Sequence, residues 1–258
     1  MWRFIHLSDP HLGSQRDGRW NNGFLCSMMP EVMSCLRRDL ARFEPDFVLA
    51  TGDICSHQTR DAMFAARDLM DSLSIPYYPM GGNHDFVVEH SREWFLEAFQ
   101  MRIPSMDTVY SFAHKNLFFC VLDPWWKWSD DTLCPVSERA VAEKIDVSLK
   151  GARWAIPPHQ FAWLEEELAN HRDIPTIIAS HYPAVPIPRR MRRPGIKDAG
   201  HLDNGNMLIE MLQAHPQVRA IFSGHVHMHF IQPINDGLTQ VVTGALPEYP
   251  TEFREVRV

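Results

Sequence analysis

The sequence lacks a long apolar segment, paired cysteines and a surplus of positive charge. The longest apolar run covers residues 117–122, far short of the ~18 residues of a membrane-spanning helix. Residues 2–7 have the pattern of a strand rather than of a signal peptide. The five cysteines include no Cys-x-x-Cys pair, which is typical of reduced thiols in the cytosol. We therefore expect a cytoplasmic protein without a membrane association.

The scarcity of basic residues disfavours one class of partner. Lysine and arginine together number 25, against 32 aspartates and glutamates, so the formal net charge is −7. A protein that coats nucleic acid needs a basic surface, so we expect no nucleic-acid partner. Hydrophobic residues make up 45% of the chain, which suffices for a sizeable core and excludes intrinsic disorder. Histidine is abundant, with 14 residues.

Short apolar segments alternate along the chain with segments of helical periodicity. The pattern predicts strands at 2–7, 46–50, 76–80, 117–122, 176–180 and 218–222. It predicts amphipathic helices within 25–43, 62–73, 161–168 and 207–212. Turn residues at 114–116 and 235–237 predict two antiparallel hairpins. Together these features predict an α/β fold with mixed sheets, in a single domain that spans residues 1–258.

Five of the predicted strands are followed by a polar cluster that contains aspartate, histidine or asparagine. Carboxylate, imidazole and amide oxygen are ligands that divalent Mn, Fe or Zn accept. The clusters supply seven candidate metal ligands: Asp9, His11, Asp53, Asn83, His181, His225 and His227. One metal ion cannot use seven ligands, but two ions that share a carboxylate can. Two ions about 3.5–4 Å apart can hold the attacking and leaving oxygens of a phosphoester.

The motif order DxH, GD, GNHD, H and GHxH resembles the calcineurin-like metallophosphoesterase superfamily. The motifs run from Asp9 to His227, so the resemblance covers most of the chain. It implies a four-layer αββα sandwich of two mixed β-sheets flanked by helices, with two metal ions at the strand ends. The superfamily usually has proline before GNHD, where this sequence has Gly81. This departure removes no candidate ligand.

The resemblance also implies a role for each residue of the motifs. One divalent metal ion would be held by Asp9, His11 and His227. The second would be held by Asn83, His181 and His225, and Asp53 would bridge the two ions. His84 would not bind metal but would donate a proton to the leaving oxygen or stabilise the phosphoryl charge, while a metal-bridging hydroxide attacks in line. Asp85 is expected to support its neighbours without contacting metal.

The function expected from these residues is hydrolysis of a small-molecule phosphodiester. The size of the chain is similar to that of the cyclic-nucleotide and glycerophosphodiester branch of the superfamily. A nuclease of the same superfamily is an alternative that the negative charge disfavours, and a phosphomonoesterase is another. A non-catalytic metal-binding scaffold is a third alternative, although every expected ligand type is present.

Each of two loops next to the motifs has two possible roles. Arg189, Arg190, Arg192 and Arg193 follow His181 closely. They form either a solvated loop or a substrate-binding group for a second phosphate or carboxylate. The tryptophans of the second loop and its end are Trp125, Trp126, Trp128 and Trp154. They form either a hydrophobic plug, which we favour, or a surface that stacks on a ring of the substrate.

Overall fold

Strands and helices alternate through most of the chain, as the apolar pattern predicts. The computed structural model describes residues 1–57, 59–129, 132–135 and 154–258. The strands are β1 (Arg3–Leu7), β2 (Asp17–Arg19), β3 (Gly23–Leu25), β4 (Val48–Thr51), β5 (Tyr77–Met80), β6 (Tyr110–His114), β7 (Leu117–Leu122), β8 (Trp126–Ser129), β9 (Thr132–Pro135), β10 (Thr176–Ser180), β11 (Val218–Ser223), β12 (Phe230–Pro233), β13 (Thr239–Val242) and β14 (Arg254–Arg257). The α-helices are α1 (Met29–Phe43), α2 (Arg60–Asp71), α3 (Ser91–Phe99), α4 (Pro158–Asn170) and α5 (Gly205–Gln213).

The strands form two mixed sheets and two small hairpins. A four-stranded sheet has the order β14-β1-β4-β5, in which β1, β4 and β5 are parallel and β14 is antiparallel to β1. A six-stranded sheet has the order β12-β13-β11-β10-β7-β6, with antiparallel pairs at both edges. Strands β2 and β3 form one separate hairpin, and β8 and β9 form the other.

The two sheets face each other through aromatic side chains. The Phe119 ring of β7 lies 5.6 Å from the Phe4 ring of β1 and 5.6 Å from the Phe47 ring next to β4. The ring of Phe222 in β11 lies 5.8 Å from that of Phe4. All four phenylalanines are buried, so the interior lies between the sheets. With helices on the outer faces, the chain has the four-layer αββα arrangement that the motif resemblance implies.

Helix α1 shows why these helices form and how they pack. Met29, Met33, Leu36 and Leu40 are spaced three or four residues apart and are buried, so they present one apolar stripe to the sheet. Burial of such a side chain contributes about 1.5–3 kcal/mol. The helix ends at Glu44, which has a left-handed backbone with φ 46°, a common way to terminate a helix.

The predicted strands match β1, β4, β5, β7, β10 and β11, with ends displaced by two residues at most. Both predicted hairpins are confirmed, as β6–β7 and β12–β13. The sequence pattern missed the β2–β3 and β8–β9 hairpins, helix α3 and strand β14, all of which are short. In the part of the chain that the structure describes, no helix combines the length and apolar character that crossing a membrane requires.

Candidate metal centre

The seven candidate ligands lie at adjacent strand ends of both sheets. Strands β1, β4 and β5 lead to Asp9 and His11, to Asp53 and to Asn83 in the four-stranded sheet. Strands β10 and β11 lead to His181 and to His225 and His227 in the six-stranded sheet. Because these strands are parallel within each sheet, their carboxyl ends meet at one edge. The polar side chains therefore converge there.

The backbone is left-handed at five of the seven positions. The φ angles are 49° at Asp9, 46° at His11, 50° at Asp53, 65° at His225 and 54° at His227. Non-glycine residues rarely adopt this conformation, and each instance costs about 1–3 kcal/mol. Such strain persists where the surrounding structure holds it, and it is typical of functional sites. The strain coincides with the residues that the motifs select.

One group of ligand atoms comes from Asp9, His11 and His227, whose ligand atoms all lie within 4.8 Å of one another. The Nε2 atom of His227 lies 3.4 Å from Asp9 Oδ1 and 3.3 Å from His11 Nε2. Asp9 Oδ1 is buried and has no hydrogen-bond donor among the described residues. Its partner oxygen Oδ2 accepts hydrogen bonds from Ser8 Oγ and from the His225 backbone N–H.

A second group comes from Asp53, His181 and His225, with the same spacing. His181 Nε2 lies 3.4 Å from Asp53 Oδ2. The amide oxygen of Asn83 lies 3.1 Å from His181 Nε2 and 3.0 Å from His225 Nδ1. Asp53 also groups with His11 and His84. Its carboxylate therefore lies between the two groups, at the place that the motif resemblance gives to a bridging ligand.

Hydrogen bonds on the far side of each imidazole hold its ring in place. His181 Nδ1 donates to the Thr51 carbonyl at 2.7 Å, and His227 Nδ1 donates to Glu248 Oε2 at 3.0 Å. His225 is turned the other way, since its Nε2 donates to the Ala199 carbonyl at 2.9 Å. In each ring the remaining nitrogen faces the cluster. This is the arrangement found where a histidine binds metal through one nitrogen and is oriented through the other.

Two motif glycines allow the strand ends to approach each other. A Cβ atom on Gly52 would lie 2.4 Å from His181 Nδ1, and the residue has φ +93°. A Cβ atom on Gly224 would lie 1.7 Å from Ser8 Oγ and 2.4 Å from Asp9 Oδ2. Gly81, where the superfamily usually has proline, would place a Cβ 2.0 Å from the Phe86 ring. The side chain of Phe86 thus explains the departure at that position.

The carboxylates and imidazoles of the two groups shift one another's pKa values. Burial opposes ionisation, yet His181 and His227 lower the pKa of Asp9 to about 2. Burial likewise disfavours the imidazolium of His181, yet Asp53 and Asp9 raise its pKa to about 9. Burial disfavours charge on His227 too, but the neighbouring carboxylates of Asp9 and Glu248 raise its pKa to about 9. The carboxylates of Asp9 and Asp53 therefore favour positive charge on the groups that face them.

The residues present fit divalent metal ions. Asp9 Oδ1 is a buried carboxylate oxygen with no donor, and such an atom is costly unless a cation or donor faces it. Nitrogen and oxygen donors converge from both sheets in two groups that meet at Asp53. This donor set suits Mn, Fe or Zn. This geometry is compatible with the predicted metal ligands, and their assignment stays a prediction.

His84 lies next to the cluster, beside Asp53 and His11. Its backbone N–H donates to Asp53 Oδ1 at 2.7 Å, and its half-buried ring lies 4.8 Å from the His11 ring. A ring nitrogen of His84 falls within 4.8 Å of ligand atoms of His11 and Asp53. The position is compatible with the predicted proton transfer and also with metal binding.

Asp85 is buried behind the cluster and joins two of the motif loops. Its carboxylate accepts backbone N–H groups from Ile54, Cys55 and Gly82, at 3.1, 2.8 and 2.8 Å. Burial and the negative charge of Asp53 raise the pKa of Asp85 to about 7. The carboxyl group contacts backbone and lies in none of the three ligand groups among the described residues, which is compatible with the supporting role predicted for it.

The tryptophan loop forms the predicted plug at two positions. Trp125 and Trp154 are buried, and their rings lie 3.7 Å apart. Trp125 also stacks on Tyr182 at 6.0 Å and donates its indole N–H to the Phe86 carbonyl at 3.0 Å. Trp126 is half-buried against His159, and the side chain of Trp128 lies outside the described residues. The plug therefore contacts the cluster through Tyr182.

The arginine loop is exposed, and both interpretations of it remain predictions. Residues Arg189, Arg190, Arg192 and Arg193 are all solvent-exposed. Arg190 donates to the Ile231 carbonyl and Arg192 to the Ile187 carbonyl. Arg192 and Arg193 line a surface cavity of about 330 Å³. The same segment reaches the cluster through the Ala199 carbonyl.

Three contacts of the cluster were not identified from the sequence. The Tyr182 hydroxyl donates to Asn83 Oδ1 at 3.1 Å. Tyr182 could have been identified from the sequence because it directly follows His181, a candidate ligand. Phe24 stacks on His227 with ring centroids 5.6 Å apart. Glu248, 21 residues beyond His227, accepts from its Nδ1. Phe24 and Glu248 belong to no motif.

Comparison with known proteins agrees with this geometry. The calcineurin-like phosphoesterase family profile matches residues 3–229. A glycerophosphodiester phosphodiesterase GpdQ of Enterobacter lignolyticus is 26% identical over 86% of this chain and 69% of its own. A probable cyclic nucleotide phosphodiesterase of Synechococcus sp. (strain WH7803) is 24% identical over 89% of this chain and 76% of its own.

A dimetal phosphatase from Danio rerio has the same fold, with a TM-score of 0.74 and 18% identity over 98% of this chain and 91% of that one. The fold and the clustered ligands define a hydrolase of phosphate esters. The chain belongs to the calcineurin-like phosphoesterase family.

Proposed function

We propose that this protein is a phosphodiesterase that uses two divalent metal ions to hydrolyse a small-molecule diester. The observation that carries the proposal is the position of Asp53. Its carboxylate lies within 4.8 Å of ligand atoms of His181 and His225 on one side and of His11 on the other. Asp9, His11 and His227 would hold one ion, and Asn83, His181 and His225 the other. Mn, Fe and Zn all accept this donor set.

The residues around the cluster would each perform a distinct part of the reaction. Divalent ions bound there would stabilise charge on the phosphoryl group and lower the pKa of water. Asp9 and Asp53 supply two negative charges, which two divalent ions would exceed, so the site would attract an anionic diester. His84, half-buried beside His11, would donate a proton to the leaving oxygen. Asp85 keeps the loops of Asp53 and Asn83 fixed through its three backbone hydrogen bonds.

The choice of a small diester follows the names of the relatives. Two of them are named for glycerophosphodiester and cyclic nucleotide substrates. The net charge of −7 disfavours nucleic acid as a substrate. We also propose a cytoplasmic location, which the free thiols of Cys26, Cys35, Cys55 and Cys120 support.

The test compares two synthetic substrates on chelator-stripped protein reloaded with Mn²⁺. We expect faster cleavage of bis-p-nitrophenyl phosphate than of p-nitrophenyl phosphate, with two ions per chain by elemental analysis. Faster cleavage of the monoester would make the protein a phosphatase. No cleavage of either substrate with two ions bound would contradict the catalytic proposal and favour a scaffold.

Asp53→Ala tests the bridge directly. Because its carboxylate lies between the two groups, we expect this variant to lose both metal ions and nearly all turnover. Asp236→Ala, in the exposed turn between β12 and β13, is the matched control and should resemble the wild type. Normal metal content in Asp53→Ala would overturn the bridging assignment.

A further inference from the structure

Glu248 is a buried carboxylate in the loop that follows β13, outside every motif. The residue is 4% exposed. Its Oε2 atom accepts the Nδ1 hydrogen of His227 at 3.0 Å, and its Oε1 atom accepts the backbone N–H of Asn22. Both carboxylate oxygens are therefore used, one toward the cluster and one toward the tip of the β2–β3 hairpin.

Neighbouring backbone hydrogen bonds fix the carboxylate in this place. The Leu25 N–H donates to the Pro247 carbonyl at 2.8 Å, and the Tyr249 N–H donates to the Gly23 carbonyl at 2.7 Å. These bonds flank Glu248 and join its loop to strand β3. On the same hairpin, the ring of Phe24 lies nearly parallel to that of His227, at 13° and 5.6 Å. The imidazole is thus held by a hydrogen bond at its edge and by an aromatic ring on its face.

We propose that Glu248 is a positioning residue that fixes the proton of His227 on Nδ1 and so directs Nε2 toward a metal ion. The inference rests on the proposed function, in which His227 binds metal. The Nε2 atom faces Asp9 Oδ1 at 3.4 Å and His11 Nε2 at 3.3 Å. An imidazole binds metal through the nitrogen that carries no hydrogen, so the tautomer decides whether this group of ligands is complete.

The geometry makes Glu248→Gln a sharp substitution. A carboxamide has one oxygen acceptor and one amino donor, whereas both partners of Glu248 are N–H donors. If the oxygen faces Asn22, the amino group faces His227 Nδ1 and favours the tautomer with hydrogen on Nε2. If the oxygen faces His227, the amino group opposes the Asn22 N–H and loosens the hairpin. The first orientation weakens metal binding by His227 through the tautomer, and the second weakens it by loosening the hairpin whose Phe24 packs on the His227 ring.

The experiment titrates Mn²⁺ into chelator-stripped wild type, Glu248→Gln and Glu252→Gln by calorimetry. Glu252 forms a half-exposed pair with His229 at 3.4 Å, so it is a matched control that should bind as the wild type does. In Glu248→Gln we expect one of the two Mn²⁺ affinities to fall by roughly 10–100-fold and the other to stay unchanged. The hydrolysis rate should recover at high Mn²⁺, whereas a variant that had lost its fold would not recover.

Two outcomes overturn the proposal, and they differ from each other. If His227→Ala loses one ion but Glu248→Gln keeps both wild-type affinities, only the role of Glu248 is wrong. If His227→Ala also keeps both ions, His227 binds no metal and the proposed function fails with it. If Glu248→Gln does not fold, Glu248→Asp is tested instead. Aspartate keeps the negative charge, but its shorter side chain moves the carboxylate away from His227. Wild-type affinities in that variant would likewise overturn the proposal.

Discussion

Gly224 directly follows strand β11 of one sheet and lies against Ser8 and Asp9, which follow strand β1 of the other sheet. A Cβ atom there would lie 1.7 Å from Ser8 Oγ and 2.4 Å from Asp9 Oδ2, and real Cβ atoms essentially never approach so closely. We expect Gly224→Ala to displace Asp9 and to lower both metal content and turnover at least tenfold. Gly237→Ala, whose Cβ would meet nothing nearer than 3.9 Å, is the control. Normal metal content in Gly224→Ala would show that the strand ends can separate without loss of the site.

A second question at the scale of one residue is whether His84 transfers a proton or binds metal, since a nitrogen of its ring lies within 4.8 Å of ligand atoms of His11 and Asp53. If it transfers a proton, His84→Ala should keep both metal ions and lose most turnover, about 10²–10⁴-fold. Metal content and kcat measured on the same preparation check this expectation. Loss of one ion would make His84 a ligand instead.

The candidate ligands could be predicted from sequence because each follows a recognisable strand. Asp9, Asp53 and His181 come within two residues of the ends of β1, β4 and β10. Glu248 could not be predicted in this way. Its position depends on a loop that pairs with a hairpin more than two hundred residues away in the chain, and nothing in its local sequence records that contact.

At the scale of elements, Arg92 connects helix α3 to the end of strand β7 by a salt bridge and hydrogen bonds. Its guanidinium donates to both oxygens of Asp123, at 2.8 and 3.2 Å, and to the Trp125 carbonyl. Asp123 is buried, so removal of the arginine leaves a buried carboxylate without its cation. We expect Arg92→Ala to lower the free energy of unfolding by roughly 3 kcal/mol or more.

Chemical denaturation measures this effect, and Arg60→Ala provides the comparison. Arg60 pairs with Glu97 on the surface, where both side chains are 48% exposed. Such pairs contribute about 0–1 kcal/mol. If Arg92→Ala and Arg60→Ala lowered the free energy of unfolding equally, the burial of Asp123 would not explain the effect.

The parallel strands could be predicted because their apolar runs are nearly continuous, and the β6–β7 and β12–β13 hairpins because of their turn residues. The β2–β3 hairpin could not, since Asp17–Arg19 is exposed and has no apolar alternation. It nevertheless brings Phe24 against His227. The position of such a short hairpin is set by its contacts with the rest of the fold rather than by its own sequence.

At the scale of the whole molecule, each candidate metal ion would join the two sheets. Asp9 and His11 follow the four-stranded sheet while His227 follows the six-stranded one, and Asp53 opposes His181 and His225 in the same way. We expect removal of metal to lower Tm by roughly 5–10 °C, since saturation at 100 times Kd stabilises by about 2.7 kcal/mol. Scanning calorimetry before and after Mn²⁺ is restored measures the shift. An unchanged Tm would contradict ligation across the sheets.

The left-handed backbone at Asp9, His11, Asp53, His225 and His227 has an evolutionary consequence. Glycine adopts this conformation freely and asparagine readily. A lineage that no longer needed the reaction would therefore gain stability from such replacements. Selection for folding alone would then erase these positions before it erased the apolar core, and the lost activity would be difficult to regain. Aspartate or histidine at all five positions is therefore better explained by the chemistry of the site than by the stability of the fold.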